Sequence, residues 1–167
     1  VKAEGDNAVR RFTKAIEGVG LDQLEIDRRE IKSSYDAVEQ SVIEALEIAA
    51  ERIENYHQAA KTESWMNFKE GYGALVVPCE KVGAYIPGGT APLPSTVLMS
   101  AIPAKVAGVS EVLVCTPPSV TGKPSAVTLV AADIAGVDRV FRVGGAQAIG
   151  AMAYGTESIP AVDIICG

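Results

Sequence analysis

Histidine is nearly absent from this sequence: His57 is the only one among 167 residues. Cysteine is scarce too, and Cys79, Cys115 and Cys166 stand far apart. These four residues lack the close paired spacing of a zinc knuckle or a Cys-x-x-Cys redox motif. Cys115 and Cys166 lie in apolar runs and are expected as small buried thiols. A reducing, cytoplasmic compartment fits such usage. Basic charge is not in excess, with 15 Lys and Arg against 21 Asp and Glu and a net charge of −6. No basic run stands out, which argues against nucleic acid as a partner, since phosphate binding requires clustered cations. No apolar run approaches the roughly 20 residues needed to span a bilayer, so no membrane partner is expected. The opening Val1-Lys2-Ala3-Glu4-Gly5-Asp6 has no initiator Met and no apolar stretch of a signal peptide. Both ends are expected to be internal to a longer protein. Neither the G-x-G-x-x-G dinucleotide fingerprint nor the phosphate-binding P-loop occurs.

What is present suffices for a sizeable core: 48% of residues are hydrophobic and 22% charged. Residues 1–70 read as a helical segment of a first domain. Asp6 is a candidate N-cap, Val9, Phe12 and Ile16 form an apolar stripe, and Gly18 stops the helix. Residues 24–26 suggest a short strand, after which Asp27 and Glu30 have capping-box spacing. Val38, Val42, Ala45, Ala49, Ile53, Tyr56 and Ala60 recur every three or four residues, marking one face of a long helix with a break near Glu39-Gln40. His57 beside this face reads as a packing residue. From Gly71 the composition changes. Strands are expected at 74–77, 82–86, 111–115, 139–143 and 163–166, and helices at 96–107, 125–135 and 146–154. Short apolar strands alternating with helices imply βαβ units and a parallel sheet, with 163–166 near its edge. The fold class is therefore α/β: a helical amino-terminal segment, then an incomplete Rossmann-like parallel sheet with flanking helices over 71–167.

In such sheets ligands gather at the carboxyl ends of the strands, beside helix N-termini. Two Gly-rich turns fall there. In the first, Tyr85-Ile86-Pro87-Gly88-Gly89-Thr90-Ala91-Pro92, paired glycines allow a backbone close to a ligand, and Ser95 is a candidate N-cap for the next helix. In the second, Val143-Gly144-Gly145-Ala146-Gln147, a strand runs into a helix with almost no loop, and the Gln147 amide offers a donor and an acceptor. Both turns read equally as tight αβ connections. Glu157, after Gly155-Thr156, suits loop anchoring as well as proton transfer, and Lys105 and Lys123 read as surface lysines. No Glu-His or Cys-His pair lies near the turns, so a complete active site cannot be assembled. No catalytic residue and no metal ligand is assigned.

The wording of these turns resembles signature stretches of histidinol dehydrogenases. One runs from Val82-Gly83-Ala84-Tyr85-Ile86-Pro87-Gly88-Gly89 through Ser95-Thr96-Val97-Leu98-Met99. The other runs from Val143-Gly144-Gly145-Ala146-Gln147-Ala148-Ile149 through Tyr154-Gly155-Thr156-Glu157-Ser158-Ile159-Pro160 to Asp163. They occur in the family's order, with Thr116-Pro117-Pro118 between them, and the helical segment is family-like from Lys2 to His57. Ala161 and Ile164 stand where the family has lysines, and Pro94 is unusual in its turn.

The resemblance implies oxidation of L-histidinol to L-histidine through an aldehyde, using two NAD molecules, by zinc-containing homodimers of histidine biosynthesis. It carries NAD contacts to Tyr85 and Gln147, with Gly88, Gly89, Gly144 and Gly145 shaping the site. The Asn of the family's Gly-Pro-Gly-Asn word would follow Gly167. The Glu-His acid/base pair, the zinc ligands and the substrate-binding residues also lie further along. The stretch from 1 to 167 is thus expected to be inactive by itself. Two other readings stay open: a related zinc- and NAD-dependent dehydrogenase of another polyol or amino alcohol, and a non-catalytic binding or assembly module.

Overall fold

The computed structural model describes residues 1–88 and 91–167. The chain opens with helix α1 (Gly5–Glu17), α2 (Arg28–Ser33), a 3-10 turn (Ser34–Ala37) and the long α3 (Gln40–Ala60). A small antiparallel hairpin of β1 (Trp65–Asn67) and β2 (Tyr72–Ala74) follows. The remainder alternates: β3 (Lys81–Tyr85), α4 (Pro94–Ala107), β4 (Glu111–Cys115), α5 (Ala126–Ile134), β5 (Arg139–Phe141), α6 (Gly145–Tyr154) and β6 (Ile164–Cys166). The four later strands form one parallel sheet in the order β5-β4-β3-β6. The α/β fold read from the sequence is the one observed, and β6 lies at the edge.

The chain steps outward from β3 to β4 to β5, then returns through α6 to place β6 on the far side of β3. Alternating strand residues face two different cores. Val82, Ala84, Val112, Val114 and Val140 pack with α3, α4 and α5. Leu113, Cys115 and Phe141 pack with α6 and with Val9 of α1. Successive side chains of a strand point to opposite faces, so both faces of this sheet are covered. Burial pushes the Cys115 thiol up to about 12.

The amino-terminal helices differ in detail from their sequence pattern. Glu4, not Asp6, occupies the N-cap of α1, and Asp6 is buried. Its carboxylate is drawn away from the helix end by Ser158, whose N–H donates at 3.2 Å and whose hydroxyl also donates. Glu157 in turn accepts the Asp6 N–H at 2.7 Å, so it anchors its loop to α1. The buried face of α1 is Asp6, Ala8, Val9 and Thr13, while Phe12 and Ile16 are exposed. Gly18 ends the helix with a left-handed φ of 73°.

Residues 24–26 form an isolated antiparallel bridge, Glu25 with Phe141, rather than a strand. Asp27 caps α2 as expected, accepting the Glu30 N–H at 2.8 Å. The Glu30 side chain, however, turns to Arg142 at 2.7 Å. The break before α3 is present: Val38 is extended and Glu39 is the N-cap. The inward face of α3 is Ile43, Leu46 and Ala50, flanked by Ala49 and Ile53, whereas Val42 and Tyr56 are exposed.

Later departures have local causes. The second hairpin strand is Tyr72–Ala74, and residues 75–77 lie outside regular structure with Leu75 and Val77 exposed. Helix α4 starts at Pro94, in the first turn where its fixed φ suits a helix and its missing N–H costs nothing. Leu93, not Ser95, is therefore the N-cap. Pro103 inside α4 removes a bond to the Met99 carbonyl, and Met99 lies on the solvent side where water can take that role. Lys105 is not a free surface lysine, since it pairs with Asp138.

Candidate functional site

A cleft of about 510 Å³ opens above the carboxyl ends of β3 and β4. Three sequence words meet there: Tyr85 at the end of β3 with Gly88 beyond it, Thr116-Pro117-Pro118 after β4, and Gly145 after β5. Ser125 and Thr128 at the start of α5 form another wall, and Glu17 at the end of α1 contributes a carboxylate. The N-terminal ends of α5 and α6 thus both reach this space. Helix N-termini present free N–H groups and a partial positive charge, which favours anions.

The two Gly-rich turns are joined directly. The Gly145 N–H donates to the Tyr85 hydroxyl at 3.2 Å, so Tyr85 holds the first residue of α6. Gly145 has φ of 60°, a conformation open to glycine and costly for β-carbon residues. Gly88 and Gly144 meet the same ring: a β-carbon on either would lie 2.5 Å from Pro117. On Gly144 it would also come within 3.0 Å of Glu17 Oε1. The glycines thus allow three chain segments to close together around the cleft.

Gln147 lies behind this surface. Its residue is 4% exposed, and its Nε2 is buried without a hydrogen-bond partner among the described residues. The side chain folds back along α6, its Oε1 2.8 Å from where a Gly145 β-carbon would stand. A buried amide donor left unpaired costs roughly 1–3 kcal/mol, which an incoming acceptor would offset.

Of the expected site residues, Tyr85, Gly88 and Gly145 line the cleft; Gly144 is buried against Pro117 and Gln147 is buried beside Gly145, and neither is among the lining residues. Gly89 lies outside the described residues. Ser125, Thr128 and Glu17 are not marked by the sequence, and Pro117 enters it only within the family-like word between the two turns. The Thr116-Pro117-Pro118 word after an apolar strand was the available signal for that wall. Glu17 comes from a helix about 70 residues before Tyr85, so no local pattern joins it to the cleft. His57 lines a smaller depression beside Pro78 and Pro103, and is not a lining residue of the cleft. Among the described residues no group of three or more His, Cys, Asp or Glu is placed to hold a metal ion. No described helix is long and apolar enough to cross a membrane.

Comparison with known proteins gives a consistent result. The family model described as histidinol dehydrogenase matches residues 1–167. The histidinol dehydrogenase of Archaeoglobus fulgidus is 51% identical over 170 residues, covering 100% of this chain and 42% of that protein. That of Aquifex aeolicus is 52% identical over 171 residues, again 100% of this chain and 39% of that protein. The crystal structure of histidinol dehydrogenase from Elizabethkingia anophelis superposes with a TM-score of 0.92 at 37% identity, over 97% of this chain and 38% of the other. The chain therefore spans about two fifths of the length of these relatives.

Proposed function

The chain belongs to the histidinol dehydrogenase family, and from that premise we propose that the complete protein oxidises L-histidinol to L-histidine through an aldehyde with NAD as hydride acceptor. In this reading it acts in histidine biosynthesis as a cytoplasmic homodimer. The three free cysteines fit a reducing compartment. Residues 71–167 are the proposed dinucleotide unit; the helices of residues 1–70 pack against it, and the β1–β2 hairpin bridges the boundary.

The observation that carries the nucleotide assignment is the unpaired, buried Gln147 Nε2 beside a glycine turn held by Tyr85. An amide donor at that place fits a ligand rich in acceptors. We assign Gln147 and Tyr85 to dinucleotide contact, with Gly88, Gly144 and Gly145 leaving room for it and Gly89 belonging to the same turn by resemblance. The N-terminal end of α5, with Ser125 and Thr128 in the lining, suits its phosphates. When bound, NAD supplies the acceptor for the hydride leaving the substrate carbon. The part of this chain is to bind and orient that acceptor.

No acid, base or substrate ligand is assigned within 1–167, because the family's Glu-His pair falls, by resemblance, beyond Gly167. The described residues do not fit zinc, which requires several N, O or S ligands converging at about 2.0–2.3 Å. The stretch 1–167 alone is accordingly expected to form no NADH from histidinol.

Steady-state kinetics of Gln147→Ala in the complete protein tests the assignment. The apparent KM for NAD should rise about tenfold or more, the scale of one lost hydrogen bond to a bound group. An unchanged KM and kcat would remove Gln147 from the site.

A further inference from the structure

We propose that Glu17 is the specificity residue of the cleft: its carboxylate accepts hydrogen bonds from the adenosine ribose hydroxyls of the dinucleotide and turns away a ribose bearing a 2′-phosphate. The assignment rests on the dinucleotide reading of the cleft and adds to it the choice between NAD and NADP.

Three observations support it. First, Glu17 is the last residue of α1. The partial negative charge of a helix C-terminus disfavours a carboxylate there, so local helix energetics do not explain an acid at this place. Among the described residues Glu17 has no ion-pair partner either. Second, Glu17 is the only Asp, Glu, Lys or Arg among the described lining residues, which otherwise offer hydroxyls, prolines, one valine and backbone. Third, its Oε1 stands 3.0 Å from the β-carbon position of Gly144, which puts it at the start of α6, the helix whose first N–H is held by Tyr85.

The chemistry follows from this placement. A carboxylate is an acceptor-only group with two oxygens, and a ribose presents two adjacent hydroxyl donors. Hydrogen bonds to an ionised acceptor are about twice as strong as neutral ones. In dinucleotide-binding folds generally, an acidic side chain reads the ribose 2′-hydroxyl, while an arginine accommodates the 2′-phosphate. Here the cleft has the acid, and no Lys or Arg is among its described lining residues. A 2′-phosphate would bring a charge of about −1.5 to −2 against that carboxylate. The N-terminal end of α6 would attract a carboxylate in any case, so the rival explanation is that Glu17 only steadies α6. That structural role would not distinguish NAD from NADP.

Calorimetric titration of the complete protein with NAD and with NADP separates these cases, using wild type, Glu17→Gln and Glu17→Arg. Wild type should prefer NAD. The isosteric Glu17→Gln should lose about tenfold or more in NAD affinity and narrow the NAD-to-NADP ratio by at least as much. Glu17→Arg should shift the ratio further towards NADP. NAD binding by wild type with a ratio unmoved in both variants, within about twofold, would overturn the Glu17 assignment alone. Lowered thermal stability with that same unmoved ratio would also overturn it, in favour of the structural role. A wild type that binds neither nucleotide would overturn the dinucleotide reading together with it.

Discussion

Asp6 joins the two ends of the described chain, and its carboxylate carries a pH signature. Burial alone would raise its pKa. Hydrogen bonds from the Ser158 and Thr156 hydroxyls and the Ser158 N–H, with Arg10 nearby, outweigh burial and hold it below the usual aspartate range. A carboxyl depressed in the folded state stabilises the protein above its unfolded pKa of about 3.9, and that contribution is lost as pH falls through the folded value. Asp6→Asn should therefore be less stable than wild type by about 1–3 kcal/mol at pH 7. The gap should shrink as pH falls below about 4. Denaturant midpoints measured across pH 3 to 7 check this, and a constant gap would show that charge on Asp6 is not the cause. The sequence made Asp6 visible as a polar residue at a helix start. Local spacing suggested an N-cap, but a partner 152 residues away captured the side chain. Gln147 and Tyr85 were legible through family wording, whereas the unpaired state of Nε2 emerges only from three-dimensional packing.

The joints between elements depend on Pro117, which Gly88 and Gly144 touch in different ways. A β-carbon at Gly88 would meet Pro117 Cγ at 2.5 Å and Cδ at 3.2 Å, atoms that Pro117→Ala removes. A β-carbon at Gly144 would meet Pro117 Cβ at 2.5 Å and the backbone Cα at 3.1 Å, atoms that alanine keeps. Each Gly→Ala change should cost about 1–3 kcal/mol in the native background. Pro117→Ala should relieve Gly88→Ala and leave Gly144→Ala unrelieved, giving a coupling in one double-mutant cycle and none in the other. Equal coupling in both would refute this geometry. At the scale of elements the apolar runs were good guides where both faces are buried: β4 falls at Glu111–Cys115, as its run indicates. They were poorer at half-exposed elements. The α3 stripe lay one residue off because Val42 and Tyr56 face solvent although they are apolar. Periodicity cannot distinguish the inner apolar row from an outer one beside it.

Across the whole molecule, the order β5-β4-β3-β6 sets unequal protection. β4 is paired on both sides, and Val112 to Cys115 are 0% exposed. Among the described residues β6 pairs only with β3, over three residues, and Ile164 is 52% exposed. Amides of β6 should therefore exchange by local opening, at least about tenfold faster than those of β4, which open only with the shared core. Hydrogen exchange read by mass spectrometry tests this, and equal protection in the two strands would contradict it. The helical segment belongs to the same packed unit, since Ile31, Ile43, Leu46 and Ala50 share a core with Val82, Leu98, Val112 and Leu129. The β1–β2 hairpin is different: Trp65, Met66 and Tyr72 are all exposed, and Trp65 meets Tyr72 edge to face at 5.9 Å. Trp65 is also the only tryptophan in the chain. The single indole of residues 1–167 thus sits on this exposed hairpin and is not among the described residues that line the cleft. Within this stretch tryptophan emission will report the state of the hairpin, and an optical reporter on the cleft has to be introduced beside Tyr85.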